Sequence, residues 1–572
     1  MRDKARVLLL TAVAFAATAQ ATVHDHIFAN GFDIPADAPN QNDAERFLTQ
    51  ATFGPADADV SRLMAVGYSE WIQEQLGKVA TVGEPTVEAV VTARTNGGKA
   101  VGQTQRLNRW FWQAAYAPDQ LRQRMAWALS QIFVISDQAA GLGKDYVEMS
   151  DYYDTLARDA FVTYRGVLGD VTYHPEMGQY LNVFHNVKGS ATTSPDENYA
   201  REVMQLFSIG LIQRNLDFSP VLVGSQVVAT YDQDAITQTA KVFTGFTFSD
   251  APTSPPSFFG GGLTYAARYA PMACWGLELF GSSSPNMRHD ITQKQVVSSY
   301  VGGVSQPNTI AANQTCAHDV SDELDILATH ANAAPFISRQ LIQRFVTSNP
   351  SPAYIQRIAT VFVTNDGDLG DVIQAILTDT EARTPPSLTS GDSYGKVREP
   401  ILRLTAMWRA LNAQAPAADA YGEISMVGPG GMQNALGQSP LESPTVFNFY
   451  LPDYQQPGTF ADNNLYSPEL QITNESTTYT AANLYYNFTA NAAQGPLTDR
   501  PLLGLSSLGS NAATIVSNIN TKMLYGTMSP TLQSQLTTMV TSLLTASPPP
   551  SLEPEWSAIY VTMLSPEYAI QR

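Results

Sequence analysis

The chain has 572 residues, of which 44% are hydrophobic and 15% are charged, and its formal net charge is −19. This apolar fraction is sufficient for a large core, and the composition excludes a disordered chain. The 52 acidic side chains against 33 basic ones argue against a nucleic-acid-binding surface and against electrostatic docking on anionic lipid.

The first 21 residues have the pattern of a secretory signal peptide. Three basic residues precede an apolar run at positions 7–17, and Ala19-Gln20-Ala21 fits the small-x-small cleavage rule. The apolar run is too short to cross a bilayer as a helix, and no longer one follows. We therefore predict export to the periplasm or the exterior, with no membrane span in the mature chain. Residues 22–42 are predicted to be a linker, and 43–572 a single large domain.

Helix patterns dominate from residue 43 onward, because apolar residues recur at three-to-four spacing behind capping residues or prolines. Starts of this kind lie near Asp43, Asp57, Leu121, Ser194, Tyr231, Pro335, Pro352 and Pro400. Strand patterns are few, and the clearest is a small hairpin near 221–231. The sequence therefore predicts a mainly α fold, one large helical body with long irregular loops and a loop-rich insertion at about 250–320.

Cys274 and Cys316 are the only cysteines of the chain. In an exported protein, two cysteines most simply form one disulfide. A bridge of this span would restrict the unfolded chain by about 4 kcal/mol on the entropy model. Two alternatives remain, namely that the two thiolates bind a metal or that both thiols are free.

The most polar predicted helix follows Ser194-Pro195, where Ser194 and Glu197 would form a capping box. Asn198, Arg201 and Glu202 then lie on one polar stripe. One interpretation is a surface helix with a Glu197–Arg201 ion pair four residues apart. The other is that the stripe faces a cleft, with Glu202 as a metal ligand or proton carrier.

Two histidines lie beside other polar residues. His174 precedes a proline and should end a helix, where the helix dipole stabilises its charged form without any functional role. His289-Asp290, followed by Lys294, lies in a predicted loop. Adjacent His and Asp are typical both of metal or acid–base sites and of ordinary loops. The functional hypothesis is one divalent metal ion held by His289 and Asp290.

Several of these motifs together resemble a bacterial family known as domain of unknown function 1800. The segment 44–54 (AERFLTQATFG) is similar to the family's opening, and 195–207 (PDENYAREVMQLF) to its central signature. Asp196 and Gln205 depart from the family's usual Asn and Glu. His174-Pro175 and His289-Asp290 with Lys294 also match, and the resemblance extends to the C-terminus.

The resemblance implies an exported protein of unassigned activity with one site built from distant segments. The residues that would form it are His174, Glu197, Asn198, Arg201, Glu202, His289 and Asp290. The first hypothesis is an acid–base or metal-assisted hydrolase that acts on an envelope or environmental polymer such as a polysaccharide. The alternative is a non-enzymatic envelope assembly or binding protein that works with an exported sulfatase-like or phosphatase-like partner. Convergence of His174, Glu202 and His289 in an open cleft would favour the enzyme, and burial with every polar group satisfied would favour the alternative.

Overall fold

The computed structural model describes residues 35–139, 141–251, 258–259, 265–301, 304–384, 393–427, 432–490, 501–547 and 553–572. The predicted signal peptide, most of the predicted linker and parts of the predicted 250–320 insertion lie outside these residues.

The described residues form 23 α-helices, which confirms the predicted mainly α fold. The first eight are α1 (Gln41–Ala51), α2 (Asp57–Leu76), α3 (Glu84–Asn96), α4 (Gln103–Tyr116), α5 (Gln120–Ser130), α6 (Tyr146–Arg158), α7 (Tyr164–Tyr173) and α8 (Pro175–Tyr180). The next eight are α9 (Asn198–Gln205), α10 (Gln233–Val242), α11 (Cys316–Thr329), α12 (Ala333–Phe345), α13 (Pro352–Thr364), α14 (Leu369–Thr378), α15 (Thr380–Arg383) and α16 (Pro400–Ala410). The last seven are α17 (Met432–Leu436), α18 (Thr459–Asp462), α19 (Glu475–Ala490), α20 (Ala512–Leu524), α21 (Pro530–Thr545), α22 (Pro554–Leu564) and α23 (Pro566–Ala569).

Local sequence sets many helix starts. At α13, α21 and α23 a serine lies just before a proline, and its hydroxyl accepts a hydrogen bond from the backbone N–H three residues on. The proline is preorganised for the first helical position, where its missing N–H removes no hydrogen bond. The predicted start at Asp43 is slightly displaced, because Asn40 caps α1 and accepts from the Asp43 N–H.

The strands form five two-stranded antiparallel sheets within the described residues. The predicted hairpin is confirmed as β1 (Leu222–Val223) paired with β2 (Gln226–Val227). The other pairs are β3 (Phe246–Thr247) with β4 (Ala273–Cys274), β5 (Lys294–Gln295) with β8 (Thr309–Ile310), β6 (Ser299–Val301) with β7 (Val304–Gln306), and β9 (Lys396–Val397) with β10 (Ile570–Gln571). Three of the five sheets therefore lie in or beside the predicted insertion.

A hydrophobic core runs through the helices and is rich in aromatic side chains. The Trp110 ring of α4 lies 5.3 Å from Phe53, 4.9 Å from Phe111 and 5.2 Å from Trp127, each in an edge-to-face arrangement. In the part of the chain that the structure covers, we find no helix with the length and apolarity needed to cross a bilayer.

The two ends of the described chain contact each other. The Arg46 side chain of α1 donates through Nε to the Arg572 carbonyl oxygen at 2.6 Å. Arg398 N–H donates to the Ala569 carbonyl at 2.7 Å beside the β9–β10 pair. The C-terminal residues are therefore tied to both the beginning and the centre of the helical body.

Candidate functional site

The helix that carries the central polar motif begins later than the sequence predicts. α9 starts at Asn198, and the predicted capping box of Ser194 and Glu197 is wrong. Instead, Asn186 accepts from Asp196 N–H at 2.9 Å and donates to the Asp196 carbonyl at 3.2 Å. Asp196 in turn accepts from Asn198 N–H at 2.8 Å. This tertiary contact keeps residue 196 out of the helix and lets its carboxylate cap the first turn.

Glu197 joins α9 to α10. Its carboxylate accepts hydrogen bonds from Gln233 Nε2 at 2.9 Å and from Thr237 Oγ1 at 2.8 Å. Arg201 completes the predicted ion pair at 3.4 Å and remains substantially exposed. Glu197 is therefore held at a fixed position beside a cation, at the edge of the two helices.

Glu202 differs from Glu197 because its carboxyl group is buried and incompletely hydrogen-bonded. The residue is 6% exposed, and its Oε2 atom has no hydrogen-bond partner among the described residues. Burial raises the pKa of Glu202, and Arg201 only partly opposes this effect. Burial together with the Glu202 charge raises the pKa of both Tyr180 and Tyr231 to about 12. Glu202 is thus a carboxyl group disposed to hold a proton, with two phenol groups nearby.

Tyr231, whose pKa responds to the Glu202 charge, is also one of the walls of a polar cavity of about 560 Å³, although Glu202 itself is not among the residues that line it. Asp232, a second wall, caps α10 by accepting from Ala235 N–H at 2.9 Å, close to the helix start predicted near Tyr231. The other polar lining residues are Thr230, Asp234, Gln238, Gln295, Ser298 and Ser305. Carboxylates, amides and hydroxyls in this number suit a ligand that carries many hydroxyl groups.

We refer to Tyr180, Glu197, Asn198, Arg201, Glu202 and Tyr231 as the α9 site.

His174 lies at a junction between helices, where it ends α7 as predicted and also caps α8. Its Nδ1 accepts from Glu176 N–H at 3.2 Å, and its Nε2 lies 3.4 Å from Asp151 Oδ2. The Tyr152 ring packs edge-on against the imidazole, with 5.0 Å between centroids. The residue is 5% exposed, so His174 is a buried part of the α7–α8 turn.

A group of carboxylates surrounds this turn, and sequence analysis missed it. Glu148 and Asp151 of α6 and Glu176 of α8 are all buried. Glu176 Oε2 has no partner in the described chain, and burial, followed by the charges of Asp145 and Glu148, raises its pKa well above its usual value. The three-residue spacing of Glu148 and Asp151 was the available signal, because it places both carboxylates on one face of a helix.

His289 belongs to a different buried network. Its Nε2 lies 3.0 Å from Asp319 Oδ2, and its Nδ1 lies 2.9 Å from the Thr244 carbonyl oxygen. Lys294 contacts the same Asp319 oxygen at 2.5 Å, and all three ionisable side chains are 0% exposed. The Asp290 carboxylate accepts instead from the backbone and hydroxyl of Thr292, at 2.8 and 2.6 Å.

The structure joins Cys274 and Cys316 in a disulfide, in agreement with the favoured sequence interpretation. The bridge ties β4 to the first residue of α11. It lies beside His289, because the two Sγ atoms and an imidazole nitrogen are all within 4.8 Å of one another. The disulfide thus closes one side of the His289 network.

The predicted site residues therefore fall into three sets. Asn198, Arg201 and Glu202 lie on α9 and Glu197 directly precedes it, whereas His174 and His289 each have their own hydrogen-bond partners. α8 links the first two sets, because it begins beside His174 and ends at Tyr180, which is close enough to Glu202 for the two to interact electrostatically.

A second, larger cavity of about 1020 Å³ lies between the β1–β2 hairpin, α7, α11 and the end of α13. Apolar side chains at its rim are strongly exposed, with Leu222 at 52%, Val223 at 59% and Val363 at 58%. Arg165 and Asp325 form an ion pair at 2.5 Å along the same wall. The sequence predicted the hairpin but not this groove, because consecutive apolar residues in a short strand are equally typical of a buried strand.

The fold and these sites define a large, mainly α protein with a buried glutamate on a central polar helix. Residues 46–570 match the model of a family described as "Protein of unknown function (DUF1800)". Because the match covers nearly the whole chain, the chain belongs to this family, as the resemblance of its motifs indicated. Comparisons with curated proteins and with solved structures found no match.

Proposed function

We propose that the protein is an exported acid–base hydrolase that acts at the α9 site on an envelope or environmental polymer. The observation that carries this proposal is the state of Glu202, a 6%-exposed carboxyl group with one oxygen that has no hydrogen-bond partner among the residues that the structure describes. It lies near Tyr231, which borders the polar cavity. Buried carboxyl groups with raised pKa values beside a cleft are characteristic of general acids.

In this proposal the two carboxyl groups have opposite roles. Glu202 gives its proton to the leaving oxygen as the bond to the substrate breaks. Glu197, beside Arg201 and hydrogen-bonded by Gln233 and Thr237, takes a proton from the attacking water. The two transfers balance, because one proton leaves and one is gained per bond hydrolysed. Paired carboxyl groups with different environments do this chemistry in glycoside hydrolases.

His174 has a positioning role in this scheme. It caps α8, and Tyr180 at the other end of α8 interacts electrostatically with Glu202. No step of this scheme uses a metal ion at His289 and Asp290. Neither residue belongs to the α9 site, and the Asp290 carboxylate already accepts hydrogen bonds from Thr292. The hypothesis of one divalent ion at those two residues is a separate proposal, which metal analysis of the purified protein tests.

A polysaccharide is the substrate class that best suits the cavity, because its lining offers carboxylates, amides and hydroxyls to a hydroxyl-rich chain. The net charge of −19 disfavours a strongly acidic polymer. Export is proposed from the signal-peptide pattern of residues 1–21 alone, since the described fold does not bear on it.

The test is hydrolysis of neutral, basic and acidic polysaccharides by the mature protein, followed as new reducing ends. We expect Glu202→Gln to lower kcat by at least about 100-fold, the usual contribution of a general acid. Glu70→Gln, at an exposed position of α2, is the matched control and should keep full activity. Thermal unfolding of each variant shows that it is folded. Undiminished turnover by a folded Glu202→Gln protein, or no hydrolysis of any polymer by the wild type, contradicts the proposal.

A binding role with an exported sulfatase-like or phosphatase-like partner is the second candidate. The exposed apolar rim of the 1020 Å³ groove favours it, because contiguous exposed apolar side chains mark interaction surfaces. Binding titrations with such a partner test this role. They compare the double variant Leu222→Ser/Val223→Ser with the control variant Val79→Ser. Val79 is 88% exposed and lies outside the residues that line the groove. Equal affinity of both variants for the partner would contradict a role for the groove.

A further inference from the structure

Four electron-rich atoms, two of which are the disulfide sulfurs, lie close together in a largely buried part of the fold. The carbonyl oxygen of Thr244 lies 3.5 Å from Cys274 Sγ, 3.8 Å from Cys316 Sγ and 2.9 Å from His289 Nδ1. Cys274, His289 and Cys316 can each offer one atom to a common ion, since these atoms lie within 4.8 Å of one another. They come from three segments that are distant in sequence, namely β4, the loop after it and the start of α11.

The neighbours of His289 indicate which imidazole nitrogen faces this point. Asp319 Oδ2 lies 3.0 Å from Nε2 and also receives the Lys294 ammonium group at 2.5 Å. A carboxylate next to an ammonium group is an acceptor, so Nε2 carries a hydrogen and donates it. Nδ1 lies 2.9 Å from the Thr244 carbonyl oxygen, which also neighbours both sulfur atoms, and 3.3 Å from the Thr244 hydroxyl oxygen. Nδ1 is therefore the nitrogen on the side of the two sulfur atoms, and a metal ion bound there would replace its contact with the carbonyl.

A carboxylate that holds one nitrogen of a histidine, while the other nitrogen binds metal, is the usual outer-shell arrangement of zinc sites. Two thiolates and one imidazole are likewise a ligand set that zinc prefers. Two thiolates would also neutralise the charge of a divalent ion, so the buried complex would carry no additional net charge. The Asp290 carboxylate, occupied by Thr292, is not needed in this set.

We propose that the reduced protein binds one zinc-class divalent ion through Cys274 Sγ, Cys316 Sγ and His289 Nδ1, beside the Thr244 carbonyl oxygen. Reduction of the disulfide by a dithiol or phosphine takes up two electrons and two protons and gives two thiols. Metal binding then releases these two protons as the thiolates form. The disulfide and the metal complex use the same sulfur atoms and exclude each other. The site therefore has two stabilised states, which the redox conditions select, and it is independent of the proposed hydrolysis at the α9 site.

Cobalt titration of the intact mature chain tests this site. The protein is reduced with a phosphine, freed of metal with a chelator and titrated with Co²⁺ without oxygen, and thiolate-to-cobalt charge-transfer absorption is recorded. We expect one equivalent to bind the reduced protein and none to bind the oxidised protein with this spectrum. Cys274→Ser should remove most of the absorption. His289→Gln should weaken cobalt binding by more than about 100-fold, because the loss of an outer-shell contact typically costs only roughly 10–100-fold.

His318→Gln is the matched control, because His318 is also on α11, two residues beyond Cys316, and its side chain is 63% exposed. Its cobalt affinity should equal that of the wild type. Absence of thiolate–cobalt absorption in the reduced wild type overturns the proposal, as does an equal loss in His318→Gln and His289→Gln. If His289→Gln fails to fold, X-ray absorption of the zinc-loaded wild type decides. Two sulfur neighbours at about 2.3 Å and nitrogen at about 2.0 Å support the site, and oxygen and nitrogen alone refute it.

Discussion

Lys294 Nζ lies 2.5 Å from Asp319 Oδ2, and neither side chain is exposed to solvent. The ammonium group also donates to the carbonyl oxygens of Asp290 at 2.7 Å and Thr292 at 2.9 Å. This network is hydrogen-bonded and enclosed, as expected for a structural role. Glu202 has the opposite character, since one of its oxygens is buried without a partner in the described part of the chain. The two polar motifs of this chain therefore have different environments, and for this reason we assign the proposed chemistry to the α9 site.

Asp319→Asn should strongly destabilise the protein. The substitution removes the negative charge opposite Lys294 and leaves a buried ammonium group with carbonyl oxygens alone. Breaking a buried ion pair in this way lowers the free energy of unfolding by about 3–5 kcal/mol. Urea unfolding followed by circular dichroism measures the change. Asp322→Asn, on the same helix but with a 36% exposed side chain, should change it by no more than about 0.5 kcal/mol. Similar losses in both variants would show that Asp319 is not a key buried partner.

Gly54 ends the family's opening motif and allows α16 to approach closely. Its φ is +133°, and a Cβ atom there would lie 2.3 Å from the Ala406 Cα. Gly54→Ala should lower the free energy of unfolding by about 2–6 kcal/mol, because backbone strain and overpacking each contribute about 1–3 kcal/mol. Gly98→Ala is the control, since Gly98 has φ +65° but open space around it. It carries only the conformational penalty of about 1 kcal/mol. Equal shifts of the urea midpoint would argue against the Ala406 contact.

Sequence patterns predicted the elements whose signals are local. Ser351-Pro352 marks a helix start, and α13 begins there with the Ser351 hydroxyl accepting from Tyr354 N–H at 3.1 Å. Ser194-Pro195 has the same pattern, yet α9 begins only at Asn198. The difference arises from Asn186, which binds the backbone of residue 196. A linear pattern does not contain such a tertiary competitor.

The same limit applies to the candidate site. The polar stripe of α9 was visible, because helical periodicity places its members on one face. The burial of Glu202 was not, because it depends on the segments that cover this helix. Glu148 and Asp151 form an ordinary polar helix face in sequence. Only the structure shows that both are buried, with Asp151 3.4 Å from His174 and Glu148 close enough to Glu176 to raise its pKa. Sequence patterns alone therefore could not show that these distant segments come together.

Glu323 should make stability depend on pH between weakly acidic and weakly alkaline conditions. Burial, partly opposed by a hydrogen bond from Thr239, raises its pKa from 4.5 to about 8. A carboxyl group whose folded pKa is raised contributes stability that is complete below pH 4.5 and is lost as the pH rises to about 8. Glu323→Gln cannot ionise, so its melting temperature should fall less than that of the wild type over this interval. Glu475→Gln, exposed in the first turn of α19, should retain the wild-type slope. Identical slopes in wild type and Glu323→Gln would mean that Glu323 does not ionise in the folded protein over this range.

The proposed proton donor gives a second pH dependence, which is kinetic. Burial raises the pKa of Glu202, and the positive charge of Arg201 lowers it. A general acid acts only when protonated, so kcat should fall as the pH rises through this elevated pKa. Arg201→Gln removes the opposing charge, so the alkaline limb of the pH profile of kcat should move to higher pH. Arg62→Gln, on the exposed surface of α2, should leave the limb in place.

The direction of this shift separates a direct effect on the acid from a structural one. Arg201 also pairs with Glu197 at 3.4 Å, so its loss also removes one of the contacts that hold the proposed base in place. That loss alone would lower kcat equally at every pH, whereas the charge effect on Glu202 moves the alkaline limb. A folded Arg201→Gln enzyme in which kcat falls uniformly at every pH, with the alkaline limb unmoved, would contradict the role of Glu202 as proton donor. Movement of this limb to higher pH would show that the Arg201 charge acts on the proton donor during turnover.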